Sequence, residues 1–351
     1  MLTDIFAYRY AEVPMWEAFE ERDRKFIVQA YRIITEQLYP PYTDGKTNDW
    51  AQAKWKLIND RLGTELGLHE LSQRVNGYYA DFAGRKRWTS YTKSWHTVCK
   101  DFVCVDFPAD ASPDEFVKER LSFIELAFRQ RGEDVQAANN NLPRQILVAK
   151  SQFGQNSSGI TLPGDPAAGV KAHNKAFNDE FRSSVNELNE RLRQARYGLN
   201  YHNGFIQISS DAAVEEQIET PFWNLVADPK WQNVDTDMKE ALDLRDSGGR
   251  DPAWYAAKAL ESTIKIISKE KGWTHGKEGG PHNFIENLAK EKNGRFIDAW
   301  EATSLKNFFT DVRRPFGHGA GSDEMPELTG QQTNWAIEFC MSWVKSLIER
   351  M

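Results

Sequence analysis

Apolar residues recur at the spacing of an α-helix along most of this chain, and that periodicity limits the fold more than any other feature. A period near 3.6 places them on one side of a helix, where they can pack against a core. Such stripes lie at residues 26–38, 50–62, 117–128, 253–267, 305–312 and 336–347. The sequence therefore predicts a mainly α-helical protein, and its 351 residues are enough for two or three domains.

A short stretch in the middle of the chain departs from this period. Asn203-Gly204 stands between β-forming residues within 197–208, and this dipeptide is the strongest short signal for a tight hairpin turn. We expect a small β-hairpin there, with His202 exposed beside the turn.

The last hundred residues predict a separate helical bundle. Asp251-Pro252 is typical of a helix start, with Asp251 as the N-cap and proline in the first turn. Thr329 and Gln332 have the spacing of a capping box before the final stripe.

The segment 85–96 alternates basic and aromatic residues and has two interpretations. Such a mixture can stack nucleic-acid bases and hold phosphates. However, Trp88, Tyr91, Trp95, Val98 and Phe102 also follow helical spacing, so we favour a buried helical stripe with a charged outer side.

Composition excludes several classes of protein. The longest apolar runs fall well short of the roughly 20 residues that cross a bilayer, and the start of the chain lacks a secretion signal, so a cytoplasmic protein without a membrane partner is expected. Three cysteines without a CxxC pair argue against disulfides and thiolate zinc sites. The net charge is -7, and residues 111–249 hold 21 acidic against 15 basic residues. A nucleic-acid substrate would therefore need local positive charge at its cleft.

The best candidate site follows the stripe at 305–312, in the run Asp-Val-Arg-Arg-Pro-Phe-Gly-His-Gly-Ala-Gly at 311–321. Arg313 carries a fixed positive charge that can clamp a phosphate, and His318 can transfer protons near neutral pH. In RNA the ribose 2′-hydroxyl is the nucleophile, so such a pair could cleave the strand without a metal or cofactor. An arginine and a histidine separated by four residues also occur by chance, and basic residues commonly end helices.

The wider context of this run resembles a known family. The run 313–321 resembles the Arg-x(4–6)-His motif of the HEPN superfamily, in the Gly-His-Gly form of abortive-infection C-terminal domains, and residues 258–265 and 271–273 resemble that family's first helix. Residues 4–9, 186–192 and 201–209 are similar to the AbiJ-type N-terminal domain that accompanies this class.

This resemblance implies a metal-independent endoribonuclease toxin of antiviral abortive infection, with no cofactor and no metal. Arg313 and His318 would be its catalytic pair, and Glu261 and Lys265 would orient that pair or the phosphate. The resemblance also implies a homodimer formed through the C-terminal domain and a regulatory or antitoxin partner. Glu261 and Lys265, one helical turn apart, would otherwise be a solvent-facing ion pair.

The domain arrangement that follows has four parts. We expect an AbiJ-like helical domain at 1–135, a linker or insertion at 136–180, a hairpin with joining helices at 181–250, and a HEPN-like helical bundle at 251–351.

Two alternatives remain open from the sequence. Arg314 and Pro315 stand where the family motif usually has a small polar residue, so Arg314 either adds a phosphate contact or marks a domain that only binds RNA or protein. His275 and His282 flank a glycine-rich segment and would suit a metal hydrolase only if a third ligand joined them.

Overall fold

The computed structural model describes residues 5–82, 85–154, 165–209, 214–313 and 327–351. It confirms a mainly α-helical protein. The chain divides into two compact units: an N-terminal unit, residues 4–206, and a C-terminal unit, residues 207–351. The predicted four-part boundaries remain predictions.

The N-terminal unit is built from six helices and five strands among its described residues. The helices are α1 (Phe6–Arg9), α2 (Glu21–Ile33, continued by a π turn at Ile34–Leu38), α3 (Asp49–Leu66), α4 (Trp95–Val103), α5 (Pro113–Gly154) and α6 (Ala168–Ala195). The strands are β1 (Tyr42–Thr43), β2 (Lys46–Thr47), β3 (Val75–Phe82), β4 (Arg85–Thr92) and β5 (Leu199–His202).

The core of the N-terminal unit is aromatic and contains a buried ion network. Trp55 of α3 and Phe123 of α5 are fully buried, with stacked rings. Glu125, also fully buried, accepts hydrogen bonds from both Nη atoms of Arg9, from Arg129 Nη2 and from the backbone N–H of Ile206. Because each carboxylate oxygen has cationic partners, this charge can be kept inside the core.

Helices α5 and α6 extend into the segment 136–180. Residues up to Gly154 continue α5, and α6 starts at Ala168. Asn139 of α5 exchanges amide hydrogen bonds with Asn174 and Asn178 of α6, so a polar seam joins this part of the two helices.

The C-terminal unit begins with β6 (Phe205–Ile208), whose first two residues still belong to the N-terminal unit. It continues with a π turn (Glu215–Glu219), α7 (Thr220–Val226), a 3-10 turn (Pro229–Trp231) and α8 (Gln232–Asp246). Then follow α9 (Pro252–Glu270), α10 (Pro281–Ala289), a 3-10 turn (Glu291–Asn293), α11 (Ala299–Phe308, continued by a π turn at Phe309–Arg313) and α12 (Gly330–Glu349).

Helix α9 lies at the centre of the C-terminal unit, packed against α8 and α12. Its predicted apolar stripe is buried, and Leu260, Ile264 and Ile267 are fully so. The predicted capping box of α12 is also present, because Thr329 and Gln332 exchange side-chain and backbone hydrogen bonds. These helices form where the sequence periodicity predicts them.

The hairpin at Asn203-Gly204 is confirmed. Asn203 and Gly204 both have positive φ, at 44° and 95°, as a two-residue hairpin turn requires. Our expectation for His202 was wrong, because this residue is buried. Asp251 is not a side-chain cap either: it has φ 60° and makes no capping hydrogen bond, although Pro252 does start α9.

The predicted helical stripe from Trp88 to Phe102 is wrong in its first half. Trp88 and Tyr91 lie on strand β4, which pairs with β3, and both are exposed. Only Trp95, Val98 and Phe102 lie on a helix, α4. The chain leaves the strand before Ser94, whose hydroxyl accepts the hydrogen bond that caps α4.

Candidate functional site

The described part of the candidate site lies where α11 ends. Leu305, Phe308 and Phe309 are buried in the core of the C-terminal unit, and Val312 packs against it. These contacts anchor the end of α11 and its π turn to the core, and this anchored segment positions Arg313. The Arg313 side chain is 28% exposed.

Helix α9 supplies the acidic partner of this arginine. Arg313 Nη2 donates a hydrogen bond of 2.9 Å to Oε2 of Glu261, whose side chain is only 10% exposed. Lys265, one turn further along α9, lies 2.8 Å from Oε1 of the same carboxylate. The structure thus brings together three residues that the sequence singled out, here called the Arg313 cluster.

The geometry of the Arg313 cluster differs from a solvent-facing ion pair. One buried carboxylate divides its two oxygens between two cations, so the cluster keeps a net positive charge at the surface. Arg313 Nη1 has no partner among the described residues, and Arg313 Nε is buried and likewise has no hydrogen-bond partner there. Since a guanidinium can bind two acceptors at once, an anion could bind beside Glu261.

Helix α10 lies beside this turn and was not part of the predicted site. Lys265 Nζ is 5.8 Å from the ring centre of Phe284 on α10. Nε2 of the exposed His282 is 3.3 Å from Oγ1 of Thr310, three residues before Arg313. No local pattern indicated these contacts, because they join helices that are distant in sequence.

His318 and Arg314, which complete the predicted site, lie outside the described residues. Their placement relative to Arg313 therefore remains a prediction.

The second histidine candidate, His275, lies in the loop before α10. Glu278 accepts hydrogen bonds from the backbone N–H of His275 at 2.7 Å and from Asn287 Nδ2 at 3.1 Å. These hydrogen bonds lower the pKa of Glu278 to about 2, and the bond from His275 has the largest effect. Among the described residues no group of three histidine, cysteine or acidic side chains is arranged to hold a metal ion.

Two further findings concern membrane-spanning helices and cysteine thiols. None of the helices in the described ranges has both the length and the apolar character that crossing a membrane requires. Cys99 and Cys340 are buried free thiols, and burial raises the pKa of the Cys340 thiol well above its ordinary value, which makes it a poor nucleophile.

Among known families, the model described as AbiJ N-terminal domain 4 matches residues 4–224. Neither the curated proteins nor the solved structures include a match to this chain. The family match covers more than half of the chain, including the segment 136–180 and the central hairpin. The chain therefore belongs to the AbiJ N-terminal domain 4 family and is an AbiJ-like abortive-infection protein.

Proposed function

We propose that this protein is a metal-independent endoribonuclease that acts in abortive-infection defence. The observation that carries the proposal is the Arg313 cluster, in which Glu261 holds a guanidinium at the rim of the C-terminal unit. The AbiJ family match supports the defence role, and the HEPN resemblance of residues 313–321 supports the reaction.

The proposed reaction uses the ribose 2′-hydroxyl as nucleophile. A base takes its proton, the 2′-oxygen bonds to the adjacent phosphorus, and the bond from phosphorus to the 5′-oxygen breaks. The leaving oxygen takes up a proton, so the products are a 2′,3′-cyclic phosphate and a 5′-hydroxyl. His318 would be the proton-transfer group because the ordinary histidine pKa lies near working pH.

Arg313 would stabilise the negative charge that builds on the phosphorane oxygens. A donor held in place before the reaction is worth about 10²–10³ in kcat at such a site. Glu261 would be a positioning residue, since it fixes one side of the guanidinium. Lys265 and Arg314 would add positive charge for the phosphate backbone.

A homodimer through the C-terminal unit completes the proposal. One histidine cannot act as base and acid in the same step, whereas two copies of His318 lining one cleft could divide those tasks. The N-terminal unit would then sense infection or restrain the nuclease, directly or through a regulatory or antitoxin partner. A monomer that cleaves RNA at full rate in dilute solution would contradict the dimer.

The test is cleavage of a mixed-sequence RNA by the purified full chain in EDTA, with product ends identified. We expect cyclic phosphate ends, and activity at least about 100-fold lower in Arg313→Ala and His318→Ala. Arg350→Ala and His69→Ala are matched controls, because Arg350 is ion-paired in the same unit and His69 is exposed on the other. Equal activity in Arg313→Ala and wild type would refute the role given to Arg313.

A domain that only binds RNA or protein is the alternative, motivated by Arg314-Pro315 in the motif. It predicts intact RNA under every condition, together with binding that weakens in Arg313→Ala. Toxicity on expression separates the two, because only a nuclease should lose toxicity through His318→Ala while the protein remains folded. EDTA-sensitive cleavage would instead point to a metal hydrolase using His275 and His282.

A further inference from the structure

The β3–β4 hairpin of the N-terminal unit leaves both of its faces in solvent. Seven of the eight β4 residues are exposed, and the described side chains of β3 are all exposed or half-buried. A two-stranded hairpin without a packed face is marginally stable in water. The two strands, residues 75–82 and 85–92, are here called the ribbon.

Aromatic rings lie on both faces of the ribbon. Tyr79 pairs directly with Trp88, and their rings meet edge to face with centroids 5.0 Å apart. The Trp88 indole also covers Gly77, where a Cβ would collide with the ring. The opposite face carries Tyr78 and Tyr91, with ring centroids 6.4 Å apart. These four rings are between 52% and 69% exposed.

The end of the ribbon where Phe82 pairs with Arg85 is positively charged. Arg85, Lys86 and Arg87 are consecutive and exposed at the start of β4, and Asp81, opposite Lys86, is the one acidic residue in 75–92. The ribbon therefore carries a local excess of positive charge in a chain whose net charge is -7. This charge disfavours pairing of two ribbons with each other, because their cations would be brought together.

We propose that the ribbon binds single-stranded nucleic acid. Exposed aromatic rings accept stacked bases of any sequence, and cations beside them bind the phosphates that join those bases. Because side chains alternate between the faces of a strand, Lys86 shares a face with Tyr79 and Trp88. Arg85 and Arg87 share the opposite face with Tyr78 and Tyr91. Each face therefore combines a ring pair with at least one cation.

This binding is independent of the proposed cleavage. The ribbon belongs to the N-terminal unit and Arg313 to the C-terminal unit, and stacking requires no 2′-hydroxyl. A ligand that cannot be cleaved therefore tests the ribbon alone.

The experiment measures fluorescence anisotropy of the full chain with a labelled 12-nucleotide 2′-O-methyl oligonucleotide, single-stranded or annealed to its complement. We expect the single strand to bind more tightly, and Trp88→Ala and Tyr79→Ala each to weaken its binding about 5- to 150-fold. Trp88→Phe keeps a ring and should retain most of the affinity. Trp300→Ala removes an equally exposed ring from the other unit and should bind like wild type.

Salt dependence tests the charges without disturbing the rings. For single strands the slope of log K against log salt changes by about 0.7 for each phosphate that the protein no longer neutralises. Lys86→Gln/Arg87→Gln should therefore flatten the slope by about 1.4 units. Lys175→Gln, on the exposed side of α6, is the control and should leave the slope unchanged.

Three results would overturn the proposal. The first is equal binding of wild type, Trp88→Ala and Lys86→Gln/Arg87→Gln, which would place any nucleic-acid site elsewhere. The second is tighter binding of the duplex than of the single strand. The third is a wild-type dimer that Trp88→Ala converts to a monomer, which would make the ribbon a contact between subunits.

Discussion

The hydrogen bond between Glu261 and Arg313 can be measured with a double-mutant cycle that has an internal control. The C-terminal unit holds a second pair of similar design, because Glu301 Oε1 and Oε2 accept from Arg350 at 2.7 and 3.1 Å. Glu301 is 6% and Arg350 37% exposed, close to the 10% and 28% of Glu261 and Arg313. The Glu301–Arg350 pair has two hydrogen bonds and the Glu261–Arg313 pair has one. Glu261 is also bound by Lys265, whereas Glu301 also accepts from the backbone N–H of Asp298.

The expected size of the coupling follows from this burial. Fully exposed pairs contribute about 0.2–1 kcal/mol, and breaking a fully buried pair costs about 3–5 kcal/mol. A buried carboxylate with a partly exposed arginine lies between these limits, so Glu261→Gln should cost about 2 kcal/mol. We expect a coupling energy of about 1 kcal/mol for Glu261–Arg313 and about 1–2 kcal/mol for the bidentate Glu301–Arg350 pair.

The assay is native-state hydrogen exchange, measured at peptides from α9 and α11. It is preferable to global unfolding because a chain with two compact units need not unfold in one step. Each cycle compares wild type, the two single Gln variants and the double variant. The positioning role of Glu261 would be refuted if the Glu261 and Arg313 variants had additive effects on the opening free energy, within about 0.5 kcal/mol, while the Glu301 and Arg350 variants did not. If that role is correct, RNA cleavage should fall in the first cycle only.

Two further predictions concern the N-terminal unit. Glu125→Gln should cost about 3–5 kcal/mol of opening free energy, measured by hydrogen exchange at peptides from α5, because it leaves buried arginines without their counter-charge. Glu36→Gln, at an exposed pair with Arg32, should cost less than about 1 kcal/mol, and equal losses would contradict the argument. Burial lowers the pKa of His96, and the nearby Lys100 ammonium lowers it further. As pH falls through about 6.5, the unfolded chain therefore takes up a proton before the folded chain does. Unfolding free energy should therefore fall between about pH 7 and 5, and His96→Phe should lose part of that slope; parallel curves would disprove the assignment.

Local patterns predicted the helices well because burial and helical period coincide there. Leu260 and Ile264 face the core as their spacing requires, and Asn203-Gly204 forms its turn because few dipeptides tolerate two positive φ values. For Trp88 and Tyr91 the helical spacing predicted a helix, and this prediction was wrong. On a ribbon exposed on both faces, side chains need not alternate between apolar and polar, so the strand period is lost and chance helical spacing remains.

The sequence named Arg313, Glu261 and Lys265 as candidates but did not indicate the contacts between them. Glu261 and Lys265 were chosen because they lie one turn apart on a helix that resembles a known one. Nothing local to Glu261 indicates that it would be buried against Arg313, because that contact joins positions 52 residues apart. The contact between His282 and Thr310 is hidden for the same reason.

The π turn at Phe309–Arg313 determines the direction in which the Arg313 side chain leaves the helix axis. A π turn accommodates one residue more than an α-helix would over the same path. Wound as an ordinary α-helix, the same sequence would carry Arg313 about 100° further around the axis, away from Glu261. A deletion of one residue at 309–312 should therefore be accommodated by loss of the extra residue of the π turn. An insertion of one residue cannot be accommodated in this way and should turn the Arg313 guanidinium away from Glu261.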